Sequence, residues 1–288
     1  MTCWRCLLSW TTEEVASTKG KAKSGKSART TVVSFNANGI RSAERKGFFK
    51  WVDREQPDVI CIQETKAQVH QLEDPVFHPA GYHCVYNDAE KKGYSGTAVY
   101  SRVAPRKTIT RLGWDPADSE GRYTQFDFAG VSIVSLYVPS GSSSDDALAK
   151  KLRFMDDFYE HMKGLRRKRR EFIICADWNT CHHNIDLKNW RSNQKNSGFL
   201  PEERAWLDRV YDELGYIDSF RLVDEREEQY TWWSNRGQAY ANNVGWRLDY
   251  HMITPKLRDK VLAASIYKDE KFSDHAPQIM EYDFELQG

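Results

Sequence analysis

Short apolar runs recur along most of this chain, and several stop abruptly at a carboxylate, an amide or a histidine. The run at 31–35 is β-branched and aromatic, which predicts a strand. Residues 44–55 then place Phe48, Trp51 and Val52 on one face at helical spacing. Strand patterns follow at 58–62, 96–101, 123–128 and 131–138, and a helix is expected over 145–166. The second half repeats the order with a strand at 172–175 and a helix at 201–214, opened by Pro201 and two glutamates. Further strands are expected near Tyr230 and over 247–253, 264–267 and 278–282. Mixed strands in both halves with helices between them predict an α/β fold of two packed mixed sheets flanked by helices. The elements follow too closely for independent units, so residues 31–288 read as one domain.

The first 30 residues break the pattern. Lys19, Lys21, Lys23, Lys26 and Arg29 alternate with glycine, serine and alanine, a composition that buries too little surface to order itself, so 1–30 is expected to be a flexible basic tail. Cys3 and Cys6 have CxxC spacing, but no second pair lies nearby to complete a zinc site. The six cysteines show no disulfide framework, and Cys61 and Cys175 sit inside apolar runs, which predicts a reducing, intracellular setting. That setting would be cytoplasmic in a bacterium and nuclear in a eukaryote. No apolar stretch approaches the ~20 residues that span a bilayer, so no membrane partner is expected. With a formal net charge of +1, the chain lacks the overall field of a DNA-coating protein, and nucleic-acid binding would rest on local patches.

The candidate chemistry lies where the runs end. Asn36 and Asn38 follow the first strand, Glu64 the second, Tyr137 closes the run at 131–138, and Asp177 and Asn179 follow 172–175. Asp249 sits in the 247–253 run, and Ser273, Asp274 and His275 precede the last strand. Each has an ordinary alternative: Glu64 could simply face solvent, Asp177 could cap an Asx turn, and an isolated histidine is more often structural than catalytic. Their convergence suits metal-assisted hydrolysis of a phosphate ester, which needs a cation, a base to activate water and donors for the phosphate oxygens. Glu64 and Asp274 are the hard oxygen donors Mg²⁺ prefers. Asp177 can activate water, Asn179 can orient it, and His275 can donate to a phosphate oxygen with Asp249 fixing its tautomer. Asn36-Ala37-Asn38 also resembles Asp177-Trp178-Asn179, as if each half supplied an equivalent corner, although coincidence explains two short matches as well.

Together, Gln63-Glu64-Thr65-Lys66, Gly93-Tyr94-Ser95-Gly96, Asp177-Trp178-Asn179, the run from Asn243 to Tyr250 (NVGWRLDY) and Ser273-Asp274-His275 resemble the exonuclease III class of abasic-site (AP) endonucleases. The resemblance spans residue 31 to about 282 and implies the four-layer α/β sandwich of the endonuclease, exonuclease and phosphatase superfamily. It implies Mg²⁺-dependent incision of double-stranded DNA 5′ to abasic sites, trimming of blocked 3′ ends, Mn²⁺ as a substitute and a monomer. Position by position, Glu64 matches the principal metal ligand, with Asn38, Asp177, Asn179, Asp274 and His275 around the metal. Asp177 matches the water-activating residue, Asn36 and Asn179 the residues that order nucleophile and phosphate, Tyr137 the phosphate-reaching tyrosine, and Asp249 with His275 the dyad. Trp232, Trp246 and Leu248 match the pocket for the flipped abasic sugar. Asn38, as in bacterial-type members, replaces an Asp of many relatives, and Ser140-Gly141-Ser142 stands where others carry an Asn and a basic residue.

DNA contacts are expected from the amide-rich, basic loop that includes Lys188, Trp190, Lys195 and Asn196, and from Arg236 as a wedge. The cations at 166–170 fit a helix C-terminus as well as a DNA patch. Two other functions share these residues: a phosphatase or phosphodiesterase acting on inositol phosphates or phospholipids, and a non-catalytic DNA-binding relative. The tryptophan-rich segment favours DNA over a soluble headgroup, and the full catalytic set argues against a mere binder.

Overall fold

The computed structural model describes residues 29–288, so the Cys3–Cys6 pair and all of the basic tail before Arg29 lie outside the described residues. Thr30, placed in the tail from sequence, already belongs to the first strand. In chain order the first half contains β1 (Thr30–Asn36), α1 (Ile40–Arg45), α2 (Phe48–Glu55), β2 (Val59–Gln63), β3 (His83–Asn87) and β4 (Thr97–Ser101). Next come β5 (Lys107–Ile109), β6 (Tyr123–Asp127), β7 (Val131–Tyr137), α3 (Asp145–Leu165), β8 (Glu171–Asp177), α4 (Trp190–Asn193) and α5 (Pro201–Asp212). The chain closes with β9 (Ile217–Asp218), β10 (Trp232–Trp233), β11 (Gly245–Trp246), β12 (Asp249–Ile253), β13 (Val261–Ile266) and β14 (Gln278–Tyr282).

The strands form two six-stranded mixed sheets, ordered β13-β14-β1-β2-β4-β3 and β5-β6-β7-β8-β12-β9, plus the β10–β11 hairpin. Side-chain alternation along the strands sorts the core into three interfaces. Val33, Phe35, Ile60 and Ile62 turn outward onto Phe48 and Trp51 of α2. Val32, Cys61 and Val99 face Ile133, Ile173 and Cys175 across the gap between the sheets. Val134, Leu136, Ile174 and Met252 pack outward on Phe154 and Phe158 of α3 and Leu207 of α5. The result is the four-layer α/β sandwich, and each fully buried Ile, Leu or Phe in it contributes about 1.5–3 kcal/mol.

Among the described residues each sheet holds one parallel pair, β1 with β2 and β7 with β8. Their C-terminal ends meet at one rim, where Asn36 and Asp177 from opposite sheets are joined by a hydrogen bond. The antiparallel β12 starts at that rim, because Asp249 pairs in register with Asp177.

Several elements differ from the sequence reading. The helix expected over 44–55 is two helices, interrupted at Gly47, whose φ of 93° is open to glycine and costly for other residues. The strand near Tyr230 is the two-residue β10, and the run at 247–253 starts two residues late because Arg247 leaves the ladder to bind Asp186 and Asp218. The strand placed at 264–267 begins earlier, at Val261, and carries a register irregularity. Sequence reading missed β3, β5, β9 and β11, which lack clean two-residue alternation: β3 is a partly exposed edge strand, and β5, β9 and β11 are very short. Among the described residues, no helix is long and apolar enough to cross a membrane.

Candidate active site

Strands β1 and β8 end in the same backbone device. Asn38 N donates to Asn36 Oδ1 and Asn179 N donates to Asp177 Oδ1, both at 2.9 Å. Asn38 and Asn179 both take positive φ, 41° and 49°, a conformation asparagine tolerates because its short side chain bonds locally. The two corners are then stitched together. Buried Asn36 donates through Nδ2 to Glu64 Oε1 at 2.8 Å and to Asp177 Oδ2 at 2.7 Å, holding one carboxylate from each half of the molecule.

Asp177, Asp249 and His275 form a buried cluster whose ligating atoms all lie within 4.8 Å of one another. His275 Nδ1 is 2.9 Å from Asp249 Oδ2, and its Nε2 is 3.8 Å from Asp177 Oδ2. Burial alone would lower the basicity of His275, but Asp249 and Asp177 prevail and push its pKa up. The ring, flanked by two acids, therefore favours its proton-bearing form. Burial raises the Asp177 carboxyl above the ordinary aspartate range; His275 opposes this, and the Asp249 and Glu64 charges reinforce it. A carboxylate of raised basicity beside a proton-bearing imidazole is suited to taking a proton from water.

Glu64 and Asp274 border this cluster on the open side. Burial would raise the Glu64 carboxyl, yet Lys66 and the Asn36 amide hold it below its usual value. Lys66 Nζ lies 2.7 Å from Glu64 Oε2 and donates to Asn38 Oδ1 at 2.5 Å, while Asn38 Nδ2 donates to Asp274 Oδ1 at 2.9 Å. Glu64 thus already has a cation at one oxygen, and the neighbouring donors are nearly all hard oxygens. This set fits a divalent metal of the Mg²⁺ or Mn²⁺ type. Tyr137 reaches the same cluster, and burial followed by the Glu64 charge keeps its phenol protonated well above the usual range.

A cleft of about 880 Å³ opens over these groups and is lined by Glu64, Tyr137, Asn179, Asp274 and His275. Asn36, Asp177 and Asp249 form its buried floor. On one side stand Trp232, Trp246 and Leu248, brought together because β10 pairs with β11 so that Trp232 lies opposite Trp246. The two indoles meet edge to face at 6.3 Å, and Leu248 packs with Leu187 and Phe199 behind them. Lys195, Asn196 and Arg236 line the outer part of the same cleft. The serine-rich 140–144 segment forms a facing wall without a cation. The structure thus gathers the candidate catalytic and metal-binding residues and the two-tryptophan wall around one cleft, whereas Lys188 pairs with Glu228 and Trp190 packs against Leu187 and Phe199. The cations at 166–170 are different: Arg166 binds the Leu214 carbonyl and Arg170 the Phe128 and Val131 carbonyls, so both are engaged in the fold.

Four supporting residues escaped the sequence reading. Lys66 stood inside a recognised motif without a role, and its spacing of two residues from Glu64 was the available signal. Arg122, almost fully buried, donates to the Tyr137 carbonyl at 2.9 Å with its guanidinium 4.7 Å from the centre of the Tyr137 ring. Lys151 and Glu203 form a fully buried ion pair. Lys151 Nζ donates to the Asn179 carbonyl at 2.7 Å, and Glu203 accepts from Gly198 N at 2.6 Å and Leu200 N at 2.9 Å. Gly198 allows that close approach, since a Cβ there would lie 3.2 Å from the Trp246 ring. The pair ties the corner at Asn179 to the loop beneath Trp246, and nothing in a single sequence marks Lys151 as buried.

Residues 33–275 match the model of the Endonuclease/Exonuclease/phosphatase family. The chain is 37% identical over 248 residues to an exodeoxyribonuclease of Bacillus subtilis, covering 85% of this chain and 96% of that protein. It is 34% identical over 259 residues to the DNA repair nuclease APEX1 of Danio rerio, covering 89% of this chain and 83% of the relative. Its fold superposes on an AP endonuclease from Archaeoglobus fulgidus with a TM-score of 0.81 at 27% identity, covering 88% of this chain and 99% of the other.

Proposed function

The chain belongs to the endonuclease/exonuclease/phosphatase family, in its exonuclease III class of AP endonucleases, and is a hydrolase of the nuclease type; from that premise we propose that it incises double-stranded DNA 5′ to abasic sites and clears blocked 3′ ends. The observation that carries the reading is the two-indole wall directly beside the acid–histidine cluster in one cleft. An abasic deoxyribose presents a small, partly apolar ring that such a wall can cover, while its 5′ phosphate reaches the polar floor.

Asp177 takes the proton from water, oriented by Asn179, and the water oxygen attacks phosphorus. The bond from phosphorus to the 3′ oxygen breaks, and the leaving 3′ oxygen takes a proton from solvent water, giving a 3′ hydroxyl and a 5′ phosphate on the base-free sugar. His275, as imidazolium, and the Tyr137 hydroxyl donate to the phosphate oxygens, and Asp249 fixes the ring of His275. Glu64, with Asn38 and Asp274 nearby, would hold Mg²⁺, which supplies positive charge against the charge developing on phosphate. Asp177 and His275, which stand with Asp249 in a cluster able to hold a metal ion, border that position. Lys195, Asn196 and Arg236 grip the DNA backbone outside the cleft. One chain completes the site, which supports action as a monomer.

The test offers the purified protein with Mg²⁺ an abasic duplex, a nick bearing a 3′ phosphate, an undamaged recessed 3′ end and an inositol phosphate. Incision of the abasic duplex, with 3′-phosphate removal beside it, is expected. Turnover of the inositol phosphate alone would refute the reading.

A further inference from the structure

Trp232 does more than wall the cleft. Its indole Nε1 donates to Asp274 Oδ2 at 3.1 Å, while Asn38 Nδ2 and Ser273 Oγ donate to Asp274 Oδ1 at 2.9 and 3.0 Å. Among the described residues, Trp232 is the one donor to Oδ2. Backbone contacts fix the same junction: Trp233 N donates to the Asp274 carbonyl at 3.0 Å, and Trp232 bridges His275 in an antiparallel pair. These contacts set where Asp274 begins but not how its carboxylate is turned, because the terminal torsion of aspartate is broad. The plane of the carboxylate is set by its hydrogen-bond partners, one of which is the ring that forms the apolar wall.

We propose that Trp232 is a positioning residue that links the apolar wall to the cation-binding side of the cleft, so that a base-free sugar against the wall and a divalent cation near Asp274 strengthen each other's binding. Filling the cleft restrains the indole, the indole restrains Asp274 Oδ2, and an oriented carboxylate holds a cation more tightly. The inference rests on reading Asp274 as a cation-binding carboxylate. Phenylalanine at position 232 would keep an aromatic wall and lose the N–H.

The experiment uses the full chain and the variants Trp232→Phe and Asp274→Asn. Free Mn²⁺ is followed by electron paramagnetic resonance, without DNA and with duplex already nicked 5′ to a base-free sugar. Affinity for intact abasic duplex is measured separately in EDTA. Trp232→Phe should weaken Mn²⁺ binding about tenfold, the low end for removing a ligand's outer partner. It should also shrink the gain in Mn²⁺ affinity that nicked DNA confers, and lower DNA affinity in EDTA by a smaller factor than Mn²⁺ affinity, because phenylalanine keeps an aromatic wall. Asp274→Asn should weaken Mn²⁺ at least as much. If Trp232→Phe binds Mn²⁺ like the parent while Asp274→Asn does not, the link through Trp232 is wrong and the reading of Asp274 stands. If neither variant weakens Mn²⁺ binding, both fall.

Discussion

The two halves of the molecule share a plan and differ in what they do with it. In the first sheet β14, β1, β2, β4 and β3 pair in the senses antiparallel, parallel, antiparallel and antiparallel, and β12, β8, β7, β6 and β5 repeat that sequence in the second. The central strand of each ends in the same asparagine-supported turn. Yet the first corner carries a neutral amide, Asn36, and the second an acid, Asp177. One duplicated acid corner would set two carboxylates against each other in the gap; an amide opposite an acid bridges instead, donating to Asp177 and Glu64 at once. The backbone builds the corner, and the residue at its first position decides whether the corner orients charge or carries it.

Removing the charged corner should have the largest effect. Asp177→Asn should lower the single-turnover rate of abasic incision by at least about a hundredfold with KM little changed, the expectation for a lost general base. A loss confined to KM would make Asp177 a binding residue. Removing the orienting corner should cost less: Asn36→Ala gives up two hydrogen bonds to carboxylates, each worth about 1.5–3 kcal/mol, and should slow turnover roughly tenfold to a hundredfold by freeing Glu64 and Asp177 to move. Trp246→Ala probes the wall beside the second corner. It should slow abasic incision about tenfold more than 3′-phosphate removal, as expected when binding to a remote part of the substrate is lost. Equal slowing of the two reactions would reduce Trp246 to core support.

The second half also carries buried ionisable groups on which stability should depend. Lys151→Met leaves Glu203 buried and unpaired in the second half, which should cost about 3–5 kcal/mol in denaturant unfolding, whereas Lys151→Met with Glu203→Leu should recover most of it. Similar stability of the single and double variants would show that the pair contributes little. A smaller effect comes from His251 on β12, whose pKa burial pulls down to about 3. The unfolded chain binds this proton near pH 6.5 and the folded chain does not, so stability rises with pH between those values, by at most about 1.4 kcal/mol per pH unit. His251→Gln should flatten that limb in a series of melts from pH 7 to pH 4.

The sequence disclosed the strands whose two faces are both buried, because β1, β2, β7 and β8 read as continuous apolar runs ending in polar groups. Asn36, Glu64, Tyr137 and Asp177, which the fold brings to one rim, sit at or just past those ends. Partnership was hidden. Asn36 reaches Asp177 across 141 positions, and Trp232 reaches Asp274 across 42, distances that no local pattern encodes. Lys151 carries no local signal of its place, although it is fully buried against Glu203. The short edge strands β5 and β9 were illegible for a simpler reason: with little of either face covered, they need no period.

The exchange variant, Asn36→Asp with Asp177→Asn in one chain, tests most directly whether the corners share a backbone but not a chemistry. It keeps one acid and one amide across the gap while moving the acid away from His275 and Asp249, and it is to be compared with the parent in single-turnover cleavage of abasic duplex and in thermal unfolding. Because Asn36→Asp sets a carboxylate against Glu64, where the amide donated at 2.8 Å, the melting temperature should fall below the parent's, and the cleavage rate should drop by at least about a hundredfold. A folded exchange variant that cleaves at the parent's rate would show that the two corners are chemically interchangeable and would contradict it.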